Sequence, residues 1–413
     1  MHIAVLSDPA NFHTQKWARA LQNAGAEVTV FSFFDAQIEG IPCVRIEPSY
    51  TLNGKLTYAS YLYSTDKLYR ELITHRVDLV NPINITPFGV WAARTPFRPI
   101  VSIAMGADIL EYPPERKESR IPEARTWSSV EKSGPIGRAV KGAKWHFFRK
   151  HISHALERSD LITGDNLQLI HALKDWFHVP ARKVRLNRWG VEEDLFETSP
   201  ERIQALRKRF DIRDWQRVVL SPRGMKPVYN GDLILDAFEM LVRRGTRDVK
   251  FIMLSAGYDI PAAVLAKARE LDKHFQNFTF VPEVMPREEV YELWSLVDAF
   301  ISAPAYDGYS NALAEGRYAG AIPIVNAIPA NLELIDHKRN GWVVDPFTPQ
   351  HLADAILTIM EKLPEYKLRF GKVNRDWILL NSHLRTNVRM FLRDCKRVLT
   401  RYRQQEAAAA KRE

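Results

Sequence analysis

Cysteine is nearly absent from this chain: Cys43 and Cys395 are the only two in 413 residues. Two thiols cannot make the disulfide framework of a small secreted scaffold, so a reducing cytoplasm is the expected compartment. No run approaches the roughly 18 apolar residues that cross a bilayer. The chain opens directly on the apolar stretch Met1-His-Ile-Ala-Val-Leu6, with no basic leader before it. Several chemistries lack their motifs as well. There is no Cys/His metal spacing, no phosphate loop ending in lysine, no nucleophilic serine elbow and no Asp-x-Asp pair. Zinc-finger spacing, an RNP-like aromatic strand and a basic arm are also missing, so the formal net charge of +9 does not point to nucleic acid. Nucleotide diphosphates and anionic lipid account for that charge equally well.

What is present is apolar content of 46%, enough for two sizeable cores, and one stretch around which the rest is arranged. It runs Ala303-Pro-Ala-Tyr-Asp-Gly-Tyr-Ser-Asn-Ala-Leu-Ala-Glu-Gly-Arg-Tyr-Ala-Gly-Ala-Ile-Pro-Ile-Val325. Val297 to Ile301 suit a buried strand, Pro304 and Gly308 break it, and Ser310 caps a helix running to about Tyr318. Ile322 to Val325 then resume an apolar run, giving a βαβ unit of a parallel sheet. The helix start, Gly308, Tyr309, Ser310 and Asn311, offers unpaired N–H groups and a partial positive charge to a diphosphate. Asp307 and Glu315 flank that start, and carboxylates accept paired hydrogen bonds from vicinal diols. A surface loop with an N-cap and two solvated acids is the plainer alternative.

This stretch resembles the donor-sugar motif of retaining GT-B glycosyltransferases of family four, in which two glutamates are separated by seven residues; here the first acid is Asp307. The cadence of Gly320-Ala-Ile-Pro-Ile-Val325 and Asn340-Gly-Trp-Val-Val344 is similar to the same family. The resemblance implies that Asp307 holds the donor sugar's hydroxyls and Glu315 the nucleotide ribose. It also implies an α/β, GT-B fold: two Rossmann-like doubly wound domains facing a central cleft, over residues 1–190 and 191–382, with a helix at 383–405 returning to the first. No metal or other cofactor is implied, only a UDP- or GDP-sugar as co-substrate.

Taken in order, Ile3 to Leu6 and Val28 to Phe31 read as strands around a helix from Lys16 to Ala24. The loop from Ser7 to Trp17 lies at the carboxyl end of the first strand, where doubly wound sheets bind ligands. His13 there is either a contact to phosphate or acceptor, or a helix-capping side chain. After the strand Ile100 to Ala104, Met105 stands where many relatives place a histidine. Asp108 matches an acid the family carries nearby; it is expected to orient the acceptor or act as its base, unless it is a helix N-cap. The polar stretch 113–135 is either a lid or a disordered loop. From Arg138 to Arg158 the spacing of Trp145, Phe148, Ile152 and Leu156 predicts one apolar helical stripe. That stripe packs on the sheet, or it touches an anionic membrane through Trp145, Phe148 and Arg149, with Arg138 and Lys141 close by.

Arg188 to Phe196 resembles the family's interdomain hinge. In the second half, Pro222-Arg-Gly-Met-Lys-Pro-Val-Tyr-Asn-Gly231 follows the strand Arg217 to Ser221. The family has an arginine here and, five or six residues later, a lysine that neutralises the donor diphosphate. Arg223 fits the arginine, but positions 228 and 229 are Val and Tyr. Either Lys226 reaches in from a differently shaped loop, or Tyr229 and Asn230 donate neutral hydrogen bonds in its place. The expected activity is retaining transfer of a hexose from a nucleotide sugar to a glycan or lipid-linked acceptor, peripheral on the cytoplasmic face of a membrane. Another GT-B nucleotide-sugar enzyme, or a non-catalytic nucleotide-sugar-binding protein, stays open.

Overall fold

Thirteen strands organise the described part of the chain, and every pairing between them is parallel. The computed structural model describes residues 1–114, 135–255 and 260–410, with backbone alone for 135–141. The expected lid or loop at 113–135 and the side chains of Arg138 and Lys141 therefore lie largely outside the described residues. The chain divides into two units. The first runs from Met1 to Trp189 and is completed by the helix Leu384–Ala410; the second runs from Gly190 to His383.

In the first unit, β1 (His2–Leu6), β2 (Glu27–Ser32), β3 (Cys43–Arg45) and β4 (Leu79–Pro82) pair in the order 3-2-1-4. β5 (Val101–Ile103), β6 (Leu161–Gly164) and β7 (Val184–Leu186) pair in the order 5-6-7. Parallel bridges Val80 to Ile100 and Ile83 to Ile103 join the two sets into one sheet. Side chains alternate across a strand, so Ile3 and Val5 enter one apolar layer and Ala4 and Leu6 the other. Burial on both faces is why these strands read as unbroken apolar runs rather than alternating ones. Val388, Phe391, Leu392 and Cys395 of the C-terminal helix complete the first layer, with Phe391 edge-on to Trp17 at 5.0 Å.

The second unit holds β8 (Arg217–Ser221), β9 (Val249–Leu254), β10 (Phe278–Val281), β11 (Ala299–Ser302), β12 (Ile322–Asn326) and β13 (Trp342–Val344). Their order is 10-9-8-11-12-13, a doubly wound sheet whose order reverses between β8 and β11. In such sheets ligands bind outside the carboxyl ends of the strands at that reversal. Val219 feeds one core layer, and Val218 and Leu220 the other.

Two local departures from the sequence expectation have clear causes. The first helix starts at Phe12 rather than Lys16, because the Asn11 side chain caps it by accepting the His13 N–H at 2.8 Å. β3 is a three-residue edge strand, too short for its own apolar signal.

Candidate functional site

The loops leaving β8 and β11 meet where the order of the second sheet reverses. The loop after β8 turns at Pro227–Tyr229, passes through Asn230 at φ 54°, and enters the helix Gly231–Arg243. A Cβ on Gly231 would lie 2.7 Å from the Met225 backbone, so only glycine lets the loop fold back this tightly. The loop after β11 is pinned from both sides. The Ala305 N–H donates to the Val228 carbonyl at 2.7 Å, and the Asn230 amide donates to the Ala303 carbonyl at 2.7 Å. From the β12 side, the Asn326 amide donates to the Pro304 carbonyl at 2.7 Å and that of Asn331 to the Ser302 carbonyl at 3.3 Å.

Between the pinned loops, the Arg223 guanidinium pairs with the Asp307 carboxylate and donates to the Ser310 hydroxyl at 3.1 Å. The Tyr229 ring covers the guanidinium at 4.4 Å. Burial pulls the guanidinium toward deprotonation, but Asp307 outweighs it and holds the group above its ordinary value, fixed in the cationic state. Ser310 is the N-cap of the helix Asn311–Tyr318: its hydroxyl accepts the Leu313 N–H at 3.2 Å. Asp307 also accepts the Gly308 N–H at 3.0 Å. Arg223, Tyr229, Asp307, Gly308 and Ser310 thus form one cluster at the start of a helix packed closely on β11. A Cβ on Gly316 of that helix would strike the Phe300 ring at 2.5 Å.

Asn230 and Tyr309 turn their side chains into the fold. Asn230 spends its amide on Ala303, inside the fold. The Tyr309 ring is buried in the apolar layer with Leu313 and Ala314, so only its backbone belongs to the helix start. Lys226 sits half-buried where the Pro227–Tyr229 turn begins, and Asn311 is half-buried in the first helical turn. Glu315 is buried one turn down the helix, where its Oε1 accepts the Tyr291 hydroxyl at 2.9 Å. Burial and then the Glu315 charge raise the Tyr291 phenol, so it remains a donor.

In the first unit, Asp108 is buried, and its two oxygens accept the Ile85 N–H at 2.6 Å and the Met105 N–H at 3.0 Å. The carboxylate clamps the segments after β4 and β5 together. His13 lies in the first helical turn with its ring edge-on to Trp189 at 5.8 Å; Asn11, not His13, is the cap. The helix Pro135–Arg158 turns its stripe inward. Phe148 packs on Tyr58 at 4.6 Å, and Arg149 donates to the Tyr112 and Trp176 carbonyls while covering Phe177 at 4.3 Å. Trp145 is half-buried with Arg149 over its ring at 5.6 Å. Arg149, expected at a membrane surface with Trp145 and Phe148, is thus tethered to two carbonyls within the first unit, and all three side chains are half-buried.

Sequence reasoning missed Asn326, Asn331 and Tyr291. An asparagine ending an apolar strand, as Asn326 does, is the one local signal available; Tyr291 carried none.

Two family models match the chain, "Glycosyl transferase 4-like" over residues 2–126 and "Glycosyl transferases group 1" over residues 202–377. Both matches are to glycosyltransferases, and residues 202–377 are of the group 1 type. Solved structures of similar fold include sucrose-phosphate synthase from Thermosynechococcus elongatus, with TM-score 0.70 and 16% identity over 99% of this chain and 100% of that one. Anabaena HepE in complex with UDP-glucose has TM-score 0.70 and 15% identity over 96% of this chain and 99% of that one. The fold is therefore GT-B. GDP-mannose:cellobiosyl-diphosphopolyprenol alpha-mannosyltransferase of Xanthomonas campestris is 24% identical over 172 residues, 40% of this chain and 45% of that protein, so the match spans under half of that relative.

Val228 and Tyr229, at the lysine position, lie in the tight turn that Pro227 starts, and the Tyr229 ring faces the Arg223 guanidinium. Among the described residues no helix is long and apolar enough to cross a membrane.

The Asp108 clamp has a pH signature. Burial raises its carboxyl to about 6, offset in part by the backbone N–H groups of Ile85 and Met105. Because the folded value is the higher one, its contribution is fully present below the unfolded value near 4 and is lost as pH rises through 6. Chemical denaturation of wild type and Asp108→Asn should show the stability difference shifting against wild type by about 2 kcal/mol from pH 4 to pH 7. A constant difference would remove the assignment.

Proposed function

We propose that this protein transfers a hexose, with retention of anomeric configuration, from a nucleotide-diphosphate sugar to a hydroxyl acceptor. The observation that carries this is the Arg223–Asp307–Ser310 cluster at a helix start, at the order reversal of the second sheet. Arg223 and the helix N–H groups take the diphosphate and stabilise charge as it develops on the leaving group. Asp307 takes sugar hydroxyls and Glu315 the ribose. Arg223 binds Asp307 in the free protein, so a diphosphate competes for one side of the guanidinium, whose planar fork serves two partners. Lys226, half-buried at the start of the Pro227–Tyr229 turn, is a second cation on the same loop for those phosphates. His13 belongs to the acceptor side, and Asp108 acts there by holding two loops in place. No metal is required by this scheme.

The acceptor is a lipid-linked or other glycoconjugate precursor worked on at an anionic, cytoplasmic membrane face. The mannosyltransferase relative, named for a diphosphopolyprenol acceptor, supports the lipid-linked class. The helix Leu384–Ala410 supports the surface. Arg385, Arg389, Arg393, Lys396 and Arg401 are all exposed on it. At 100° per residue Arg385, Arg389, Arg393 and Lys396 fall within about 80° of arc over roughly 16 Å, beside the face of the buried Val388, Phe391, Leu392 and Cys395, with Arg401 about 80° further round. A flat anionic bilayer matches such a row.

Thermal shift against UDP, GDP and their sugars tests the donor reading. At 100 times its dissociation constant a ligand adds about 2.7 kcal/mol, and Arg223→Ala should abolish the shift. If no nucleoside diphosphate stabilises the wild type, the proposal fails; release of free sugar without acceptor would point to a hydrolase. For the surface, replacing Arg389, Arg393 and Lys396 by Glu should abolish sedimentation with phosphatidylglycerol vesicles while nucleotide binding stays intact. Unchanged sedimentation would clear the helix of that role.

A further inference from the structure

Glu315 and Tyr291 form a buried pair that the proposed reaction does not explain by itself. A carboxylate with only 7% of its residue exposed is costly unless hydrogen bonds hold it, and the Tyr291 hydroxyl supplies one at 2.9 Å to Oε1. Tyr291 is 2% exposed, and its ring is gripped on more than one side. Phe196 meets it edge-on at 4.8 Å, and the Arg287 guanidinium covers it at 5.2 Å. Arg287 is in turn ion-paired with Glu192. Glu192 and Phe196 lie on one strap, 190–196, which is stapled to the end of the same unit. The Val191 N–H donates to the Ser382 carbonyl at 2.9 Å, and Glu193 stands 3.2 Å from His383. The phenol cannot swing without taking this arrangement apart.

We propose that Tyr291 is a positioning residue for nucleotide recognition: by holding Oε1 it fixes the plane of the Glu315 carboxylate, so that the donor's ribose diol meets an acid already oriented. The inference rests on the reading of Glu315 as the ribose ligand. A carboxylate free to rotate would lose that freedom on binding, and orienting it beforehand removes the penalty. The effect is confined to the ribose hydroxyls, which separates it from a general role in stability.

The test compares affinities for UDP with 2′-deoxy-UDP, and for GDP with 2′-deoxy-GDP, by isothermal titration. Wild type should prefer the ribonucleotide of its base by about tenfold, as expected for one hydrogen bond to a charged group. Glu315→Ala should bring that preference close to one, and Tyr291→Phe should cut it several-fold while leaving deoxynucleotide affinity unchanged. Adding Tyr291→Phe to Glu315→Ala should change nothing further, since Tyr291 acts through the acid. If Tyr291→Phe keeps the full preference while Glu315→Ala loses it, or if the double variant loses affinity additively, the positioning role is overturned and the ribose reading stands. If wild type binds neither nucleotide, or Glu315→Ala retains the preference, the ribose reading falls and the proposal falls with it.

Discussion

The ion pair between Arg223 and Asp307 is the constraint on which the second unit's site depends. Each partner belongs to a loop leaving one of the two adjacent strands, β8 and β11, between which the sheet order reverses, and each side chain is only 17% exposed. Removing either partner would leave the other charge half-buried and unpaired, a large penalty compared with what a solvated surface pair contributes. The pair therefore fixes the separation of the loops before any ligand arrives. It also keeps a permanent cation beside the capped start of the helix Asn311–Tyr318, where backbone N–H groups already favour an anion.

The same device recurs in both units: a buried polar side chain holds a loop by bonding to its backbone. Asn230, Asn326 and Asn331 tie down the loop after β11 through its carbonyls, and Asp108 ties two segments of the first unit through their N–H groups. Backbone groups at strand ends have lost their ladder partners, so these side chains satisfy them and add rigidity at once. Glu315 and Tyr291 extend the pattern from backbone to side chain, holding an acid still instead of a loop. Where the family pattern expects a lysine in the loop after β8, this chain carries Val228 and Tyr229, and the Tyr229 ring covers the Arg223 guanidinium.

Much of the fold was legible because it rests on local signals. Strands buried on both faces announce themselves as apolar runs, as Val218 to Leu220 and Phe300 to Ile301 do, and Ser310 reads as a cap from its place between a loop and a helical stretch. Asp307 and Arg223 were legible as a pair of motifs, 84 residues apart, though nothing local says that they touch. What was lost is direction. The spacing of Trp145, Phe148, Ile152 and Leu156 defines a helical face, but not that Tyr58 and Tyr112 cover it. Asn230 and Tyr309 stand at the expected places in their loops, yet their side chains turn into the fold because Ala303 and the apolar layer are there to receive them. Tyr291 was invisible for the same reason: its partner is 24 residues away, on a different helix.

A crystal structure with a bound nucleoside diphosphate tests the central claim most directly. The account predicts a phosphate oxygen within hydrogen-bond distance of the Arg223 guanidinium and of an N–H in the first turn after Ser310, with the Asp307 carboxylate shifted from, or sharing, its arginine. A nucleotide bound elsewhere, with the Arg223–Asp307 pair undisturbed and no phosphate at the helix start, would contradict it.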